Sequence, residues 1–434
     1  MSLASETVRK QSGSYYTPAD VGAFFWREFF SLRKISDAQI AADFIRKHHF
    51  VEPSAGAGAL VFTLLHKLVS LDVAAPALER IDITIIDINK RALLFIQKQI
   101  ESLEQLWGIR FHNVRFVRAD FRALALDHHG KIPIYFGNPP FVSNPKGRSD
   151  WKNLFADFLD IALRDVGNKG SIQFILPLSV AFSRDYSRLR ALLRARPSTV
   201  ALSHFDNIPD TLFKSGKPQN ENTNKANSQR CTILSITPSD RTKILSTELH
   251  RWSKQERGHF LSRKPKYYDV TPYALDDQFP RPVSADILRY ICGSGGAIRL
   301  GDLCSAEGKY ELHVAGVARN YIGIRETAGA GTNTLRFGNK DDLHAALLVL
   351  ASDLYLAYWR TIGDGFHVTK ENICGFPLPQ EMPEILYADL PAIRKLWVNR
   401  EQYRKTKLNS GRQTHSYDFS SAAPLLMPRI KQFS

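Results

Sequence analysis

The sequence Ile132-Pro-Ile-Tyr-Phe-Gly-Asn-Pro-Pro-Phe141 decides the fold that we expect for this chain. Its apolar first half, residues 132–136, is typical of a short buried strand that ends at Gly137. The two prolines that follow hold the backbone extended and exclude a helix, so the strand leads into a rigid turn. That turn presents one amide side chain, Asn138, and one aromatic ring, Phe141.

The residue types of this turn suit the binding of a planar base with an exocyclic amino group. The side-chain oxygen of Asn138 can accept one amino hydrogen, and the Pro139 carbonyl can accept the other. Phe141 offers a face on which the base can stack. Taken alone, however, the pattern fits an ordinary Asn-Pro turn better. The functional interpretation therefore depends on the segments upstream.

Composition limits the classes of protein that the chain can represent. Its 434 residues are enough for roughly two or three domains. The 58 Lys and Arg residues against 43 Asp and Glu give a formal charge of +15, which favours a polyanion partner, nucleic acid before an anionic membrane. Four cysteines without a Cys-x-x-Cys pair support neither a disulfide framework nor a zinc site. Because there is no membrane-spanning run and no signal-peptide core, we expect a cytoplasmic protein with no membrane partner.

An alternation of strand-like and helix-like segments predicts an α/β fold with a doubly wound, mostly parallel sheet. The predicted strands lie near residues 50–52, 81–87, 114–120, 132–136, 171–176 and 199–205. The predicted helices lie near residues 19–30, 60–71, 90–106, 151–165 and 183–194. A further β-rich run at residues 230–237 is expected to pair at the edge of the sheet. The polar segment before it, residues 214–229, is either a solvated insertion or a nucleic-acid contact.

The alternation ends in a basic, polar stretch at residues 251–266, and this composition predicts a domain boundary near residue 250. The first domain is then residues 1–250 and the second residues 251–434. The second domain mixes glycine-rich turns and short β-like runs with helices near residues 343–358 and 391–407, which predicts a mixed α+β fold.

The first strand-to-helix junction, Val51-Glu-Pro-Ser-Ala-Gly-Ala-Gly-Ala-Leu60, is a loop of small residues. Gly56 and Gly58 let a ligand approach the backbone at the N-terminus of a helix. The loop lacks the third spaced glycine of a dinucleotide site and the Gly-Lys-Ser/Thr of a phosphate-binding loop. Its acid, Glu52, instead suits a cationic ligand that bears an amino acid.

Acids also end the next two strands. Asp87, followed by Ile88, is placed as the usual partner for ribose hydroxyls, and Asp120 can accept from an adenine amino group while Phe121 packs on its face. Each acid alone is more often a helix cap or a solvated strand end. Four successive strands, however, each deliver a candidate functional residue at their carboxyl ends: three acids and Asn138. These residues would lie together at the edge where open α/β sheets bind ligands.

The order of these segments resembles the gamma class of S-adenosylmethionine-dependent DNA adenine-N6 methyltransferases. Gly13-Ser-Tyr-Tyr-Thr-Pro18 is similar to the leading cofactor segment of that class, the loop from Glu52 to Gly58 to its glycine loop, and Asn138-Pro-Pro-Phe141 to its catalytic motif. The resemblance covers about residues 13–240. A weaker likeness at residues 363–379 is to the target-recognition region of restriction-modification methylases. Many relatives carry Tyr where this chain has Phe141, and Phe also stacks.

The resemblance implies S-adenosylmethionine as cofactor and an adenine flipped out of double-stranded DNA as target, with no metal. The implied cofactor residues are Tyr16, Thr17, Glu52, Pro53, Ser54, Gly56, Gly58, Asp87, Ile88, Asp120, Phe121 and Asn138. The implied catalytic residues are Asn138, Pro139, Pro140 and Phe141, with Phe141 and Phe213 flanking the flipped base. The second domain would then recognise the target sequence, and a separate restriction endonuclease or defence-system subunit is a candidate partner.

Two alternatives stay open at this point. The Asn-Pro-Pro-aromatic turn also serves methyltransferases of RNA bases and of protein glutamine, because an amide poses the same chemical problem as an amino group. The chain can instead be a non-catalytic DNA-binding subunit that keeps the methyltransferase fold. Intact Asn138, Phe141, Gly56 and Gly58 argue against the second alternative.

Overall fold

The computed structural model describes residues 17–145, 147, 149–213, 229–273, 277–293, 298–378, 390–409 and 412–422. The chain divides into two compact units, Met1–Phe279 and Pro280–Ser434. Tyr16 and all but the last residue of the polar segment 214–229 lie outside the described residues, as do the predictions made for them.

A nine-stranded sheet forms the centre of the first unit. Its strands are β1 (His48–Glu52), β2 (Asp82–Asp87), β3 (Asn113–Arg118), β4 (Ile132–Gly137), β5 (Ser171–Pro177), β6 (Ser198–Phe205), β7 (Cys231–Pro238), β8 (Lys243–His250) and β9 (Tyr268–Asp269). They lie in the order β3-β2-β1-β4-β5-β7-β6-β8-β9. The first five in that order run parallel. The prediction of a doubly wound, mostly parallel sheet is therefore confirmed.

Eight α-helices connect or flank these strands within the described part of the first unit. They are α1 (Ala19–Leu32), α2 (Ala38–Lys47), α3 (Ala59–Val69), α4 (Ala75–Leu78), α5 (Lys90–Trp107), α6 (Leu154–Asp165), α7 (Ser187–Ala195) and α8 (Arg257–Ser262), with short 3-10 helices at Phe121–Ala123, Leu178–Ala181 and Arg184–Tyr186. Caps fix several of these starts: Asn89, for example, accepts from Arg91 N and begins α5.

The aromatic face of α1 joins the first helix to the strands that form the site. Trp26 is fully buried, and its ring centroid lies 4.9 Å from that of Phe136 in β4. The indole Nε1 of Trp26 donates to the Leu60 carbonyl at 2.7 Å, at the start of α3. Because a buried indole N–H needs an acceptor, this bond fixes α1 relative to the loop that precedes α3.

The prediction that residues 230–237 pair at the sheet edge is wrong. β7 lies in the interior, antiparallel to β5 on one side and to β6 on the other. Seven of its eight residues are buried, in the order Cys-Thr-Ile-Leu-Ser-Ile-Thr. An almost continuous run of apolar and small residues suits a strand that is covered on both faces. The edge position would follow if strands joined the sheet in chain order, but β7 instead inserts between β5 and β6.

Residues after position 250 continue the first unit. β9 pairs with β8, and the rings of Trp252 and Phe260 stack with centroids 4.9 Å apart. The structure thus divides the chain at Phe279, while composition alone predicted a boundary near residue 250. The separate roles of the two units stay predictions.

The second unit contains a five-stranded antiparallel sheet in the order β13-β11-β12-β16-β15 and a small β10-β14 ladder. The strands are β10 (Ile298–Arg299), β11 (Tyr310–Ala315), β12 (Ile324–Arg325), β13 (Thr332–Phe337), β14 (Pro377–Leu378), β15 (Arg404–Asn409) and β16 (Arg412–Tyr417). The helices are α9 (Ala285–Gly293), α10 (Lys340–Ala351), α11 (Asp353–Ile362), α12 (Lys370–Cys374) and α13 (Leu390–Val398), with 3-10 turns at Leu300–Leu303 and Arg400–Tyr403. The prediction of a mixed α+β second domain is confirmed.

Two helices predicted in this unit differ from those found. The helix expected at residues 343–358 is two helices, because Ser352 ends α10 and its hydroxyl accepts from Tyr355 N to cap α11. The helix expected at residues 391–407 ends at Val398, and β15 begins at Arg404. Among the described residues no single helix is long and apolar enough to cross a membrane; α10 and α11 pass such a test only together, and they are bent by 67° at their break.

Candidate active site

A cavity of about 190 Å³ lies at the carboxyl ends of β1, β2 and β4, where the strand order reverses. The predicted site residues that line it are Thr17, Glu52, Pro53, Ser54, Gly56, Asp87, Ile88, Asp120, Phe121, Asn138 and Pro140. The structure therefore brings together side chains that are up to 123 positions apart along the chain, from Thr17 to Pro140.

The two glycines of the small-residue loop have different positions. Gly56 has φ +55, and no atom lies within 4 Å of the position that a Cβ would take, so its backbone borders open space. Gly58 has φ +74 and precedes α3; a Cβ there would lie 2.9 Å from Ile96 Cγ1 and 3.0 Å from a Phe62 ring carbon. Gly58 thus allows α3 to start close to α5, and it does not line the cavity.

Asp87 is held by backbone donors at both carboxylate oxygens. Gly56 N donates to Oδ2 and Asn89 N donates to Oδ1, each at 2.8 Å. Burial raises the pKa of this carboxyl, and the backbone hydrogen bonds oppose that rise. Each oxygen keeps a further acceptor position, so Asp87 can accept from two hydroxyls of a ligand.

Glu52 is the most deeply buried acid of the cavity, with 2% of its surface exposed. Among the described residues, no donor reaches its Oε2 atom. Burial, followed by the negative charge of Asp87, raises the pKa of Glu52 well above its usual value. A cation bound in the cavity would oppose both effects, so the two carboxylates, which are acceptors, fit a positively charged ligand that also carries hydroxyls.

Asp120 is engaged by a residue that the sequence did not single out. Arg122 Nη2 donates to Asp120 Oδ2 at 2.6 Å, and Arg122 Nε donates to Oδ1 at 3.0 Å. The hydrogen bond from Arg122 lowers the pKa of Asp120, so this acid is held ionised. Phe121 is buried between the rings of Tyr135 and Phe158, at centroid distances of 5.6 and 5.1 Å.

Asn138 follows β4 and faces the N-terminal segment. Its Nδ2 donates to Thr17 Oγ1 at 3.4 Å, and Ser54 Oγ donates to its backbone carbonyl at 3.4 Å. With Nδ2 directed at Thr17, the side-chain oxygen is the acceptor that the amide presents elsewhere. Pro139, the next residue, is buried and does not line the cavity.

Phe141 and Phe213 lie beside each other. Their ring centroids are 6.3 Å apart with an interplanar angle of 59°, and both rings are half-buried. Neither ring lines the cavity itself. The two residues are 72 positions apart in the sequence, and their role in holding a target base stays a prediction. Phe155 of α6 packs edge to face against Phe141, with ring centroids 6.3 Å apart.

Other lining residues were missed because nothing in their sequence context marks them. Leu154 and Phe158 are examples, and both lie on α6. Their signal is only an amphipathic helix, which is shared by every helix that covers this sheet. In the part of the chain that the structure describes, no group of three or more His, Cys, Asp or Glu side chains is arranged to hold a metal ion.

Three features define a methyltransferase-type α/β fold: the order of the strands, the acids that end β1 and β2, and the cavity where the strand order reverses. No protein-family model and no protein of curated function matches the sequence. Among solved structures, the type IIL restriction-modification enzyme MmeI in complex with DNA matches with a TM-score of 0.58 at 12% identity, over 99% of this chain and 75% of that one. At such identity the likeness establishes the fold.

Two further structures match with lower scores. The DrdV-DNA complex has a TM-score of 0.49 at 16% identity, over 72% of this chain and 36% of that chain. A class I S-adenosylmethionine-dependent methyltransferase from Listeria monocytogenes has a TM-score of 0.36 at 13% identity, over 51% of this chain and 61% of that one. The chain thus spans about a third of the length of the DrdV chain.

Proposed function

We propose that the chain is a site-specific DNA methyltransferase that transfers a methyl group from S-adenosylmethionine to the N6 atom of adenine. The observation that carries the proposal is the placement of Asn138. This amide lines the same cavity as Glu52 and Asp87, and Phe141, which packs beside Phe213, follows it by three residues. One edge of the sheet thus offers a site for a cationic nucleoside and, next to it, a site for a planar base.

Glu52, Asp87 and Asp120 supply the cofactor site in this proposal. Glu52 faces the positively charged amino-acid portion, since its buried Oε2 lacks a donor among the described residues. Asp87 accepts from the ribose hydroxyls, and Asp120 with Phe121 borders the adenine ring. When bound, S-adenosylmethionine supplies the methyl group.

Phe141 and Phe213 hold the target base. An adenine inside a duplex cannot present N6 to an enzyme, so the base must leave the stack. The two rings are half-buried, with centroids 6.3 Å apart and planes tilted by 59°, and each offers a face on which a flat base can stack. Stacking of a base on an aromatic side chain contributes roughly 1–3 kcal/mol.

Asn138 and Pro139 orient the amino group. The Asn138 side-chain oxygen accepts one amino hydrogen and the Pro139 carbonyl accepts the second, which directs the nitrogen lone pair toward the cofactor cavity. These oxygens also stabilise the positive charge that would move from the cofactor sulfur to the nitrogen as the sulfur–methyl bond breaks and the nitrogen–methyl bond forms, and the methylated nitrogen would then release one proton to solvent. Thr17 holds the amide in this orientation, since its Oγ1 accepts from Nδ2.

DNA as the partner is supported by charge and by the fold. The chain has a formal charge of +15, and MmeI, whose fold it shares, was solved in complex with DNA. In the second unit, the apolar face of the five-stranded sheet, with Leu312 and Leu335, packs against α10.

The opposite face of that sheet is basic. Cross-strand partners share a face, so Arg325, Arg336, Lys405 and Lys407 lie on one side together, with a single acid, Glu311, that pairs with Arg336 at 3.0 Å. Lys405 and Lys407 are exposed and extend along β15 beside β16. A two-stranded ribbon of this kind fits the major groove of DNA. We propose this face as the DNA contact of the target-recognition unit.

Sequencing of DNA from cells that express this chain alone tests the proposed reaction. The expected result is N6-methyladenine at one short sequence motif, absent from cells that express Asn138→Ala. A tritium-transfer assay with purified chain then compares duplex DNA, RNA and glutamine-containing protein as acceptors. Transfer to RNA or protein but not DNA would support the alternative substrate classes, and cofactor binding without any transfer would support a non-catalytic DNA-binding subunit.

A chimera tests the role of the second unit. Grafting Pro280–Ser434 onto the catalytic half of a related enzyme should transfer the methylated motif of this chain to the chimera. A chimera that keeps the motif of its catalytic half would place sequence recognition in the first unit.

A further inference from the structure

Arg257, the first residue of α8, is buried at 6% exposure and lies 119 positions after Asn138 in the sequence. Its guanidinium binds two separate segments of the first unit. Nε donates to Asp20 Oδ2 at 2.6 Å and Nη2 donates to Asp20 Oδ1 at 3.2 Å. On the other side, Nη1 donates to the Thr211 carbonyl at 2.7 Å and Nη2 donates to the Leu212 carbonyl at 2.8 Å.

Each of these two segments leads directly into the candidate active site. Asp20 lies in the first turn of α1, three residues after Thr17, whose hydroxyl accepts from the Asn138 amide. Leu212 is fully buried and immediately precedes Phe213, the ring that lies beside Phe141. One side chain therefore joins the segment that orients the catalytic amide to the segment that carries the base-stacking ring.

The charge and shape of the site are specific for a guanidinium. Asp20 and Asp210 both lie within ion-pair distance of Arg257, at 2.6 and 3.5 Å. Two backbone carbonyls take the remaining donors, and a planar fork of five N–H groups is the side chain that can satisfy all of these acceptors together. A lysine has a single ammonium point and cannot reach both segments at once.

We propose that Arg257 is a positioning residue, which sets the separation of the Asn138 amide and the Phe213 ring through its bonds to Asp20, Thr211 and Leu212. Arg257 does not line the cavity itself. This inference rests on the proposed function, because the placement matters for methyl transfer only if a base is held between Asn138 and Phe213. Errors of about 1 Å in the placement of a reacting group slow a reaction by roughly 100-fold.

Arg27 provides a matched control on the same pair of helices. Its Nη1 donates to the Leu261 carbonyl at 2.7 Å and its Nη2 donates to the Arg263 carbonyl at 2.8 Å, so it also anchors α1 to α8. These bonds lie at the far end of α8 from Arg257 and connect to neither Thr17 nor Phe213. Arg27→Gln therefore removes comparable helix anchoring and leaves the site segments in place.

The test compares Arg257→Gln, Arg257→Lys and Arg27→Gln with the unaltered full chain. Hydrogen exchange is measured first on peptides that cover residues 17–24 and 209–213, at a temperature at which all four proteins are folded. We expect faster exchange in both peptides for the two Arg257 variants and little change for Arg27→Gln. Unchanged exchange in Arg257→Lys would overturn the inference, and this variant keeps the test valid if Arg257→Gln does not fold.

Methyl transfer under single turnover is measured next, with cofactor affinity determined separately. We expect the Arg257 variants to transfer roughly 10- to 100-fold more slowly per folded molecule, with Arg27→Gln close to the unaltered chain. Equal rates for Arg257→Lys and Arg27→Gln would show that Arg257 is only a helix anchor. If the unaltered chain transfers no methyl group while the exchange results hold, the proposed function fails and the link made by Arg257 stands.

Discussion

Glu52 and Asp87 end neighbouring parallel strands and line the same cavity, so that burial and then the charge of Asp87 raise the pKa of Glu52. Two acids this close in a poorly solvated site are unfavourable when both are ionised. Asp87 is compensated by two backbone N–H groups, whereas no donor among the described residues reaches Glu52 Oε2. As the pH falls, Glu52 is therefore expected to be protonated before Asp87 in the ligand-free site.

Cofactor binding is expected to release a proton from Glu52. A cationic ligand favours the carboxylate, so affinity for S-adenosylmethionine should rise with pH through the raised pKa of Glu52 in the free protein. Titration calorimetry at pH values above the ordinary glutamate range, in two buffers of different ionisation enthalpy, reports the released proton directly.

Glu52→Gln is the matched variant for this experiment. It should bind the cofactor more weakly at neutral pH and lose most of the pH dependence. Because a raised pKa makes a carboxyl destabilising once it ionises, the ligand-free variant should also melt at a higher temperature than the unaltered chain at neutral pH. A pH profile that is the same in both proteins would remove Glu52 from the cofactor site.

Asn138→Ala should slow methyl transfer by roughly 100-fold or more, by analogy with the loss of one polar group that stabilises a transition state. Cofactor affinity should largely survive, since the buried acids stay in place. Calorimetry with the cofactor and a tritium-transfer assay measure the two effects. The matched control is Asn113→Ala at the amino end of β3, which does not line the cavity and loses a 3.3 Å bond to the Arg80 carbonyl. Unimpaired transfer by Asn138→Ala would exclude this residue as the catalytic amide.

Phe141→Ala and Phe213→Ala should each lose stacking of roughly 1–3 kcal/mol in the transfer step, while Phe141→Tyr should stay active. Because the two rings are 6.3 Å apart and would hold the same base, the double variant should lose less than the sum of the single losses. Single-turnover rates on DNA that contains the mapped motif give the four values. Strictly additive losses would place the two rings in separate roles.

Lys405→Ala with Lys407→Ala should weaken DNA binding most at low salt. Each phosphate contact contributes about 0.9 to the slope of log affinity against log salt concentration, so two contacts should lower that slope by roughly 1.8. The control is Arg404→Ala on the same strand, because Arg404 shares the other face of the sheet with Tyr417 and pairs with Glu401 at 3.2 Å. Equal slopes in all three proteins would count against this sheet face as the DNA contact.

Much of the first unit was predictable because its strands alternate regularly with helices and end in marked residues. Glu52, Asp87, Asp120 and Asn138 each close a strand or follow it within two residues, and parallel strands bring such ends to one edge. These four side chains line one cavity, and the ligand that it binds stays a prediction. Gly58 does not line this cavity, and a Cβ at its position would lie 2.9 Å from Ile96 Cγ1, so the packing of α3 against α5 favours glycine there.

Contacts between distant segments were not predictable in the same way. Arg257 lies in the basic, polar stretch at residues 251–266, whose composition predicted a domain boundary. Only the fold shows that its side chain is buried and bonded to Asp20. Arg122 is a local example: it lies two residues after Asp120, but its sequence context does not distinguish it from other arginines. Only the structure shows its bond to Asp120. The interior position of β7 was not predictable either. A hydrophobic run indicates that a strand is buried, but it does not indicate which two strands lie beside it.

The position of β7 has a consequence for the order in which the chain can fold as it is synthesised. β6 pairs with β7 and β8, and within the described sheet it has no earlier partner. A growing chain that ends after Phe205 therefore has β6 without a neighbour and one edge of β5 unpaired, a state that favours aggregation. Nascent chains halted before residue 231 should thus be digested by protease through β6, and those halted beyond β9 should resist. Protection of β6 in the shorter chains would show that it folds without β7.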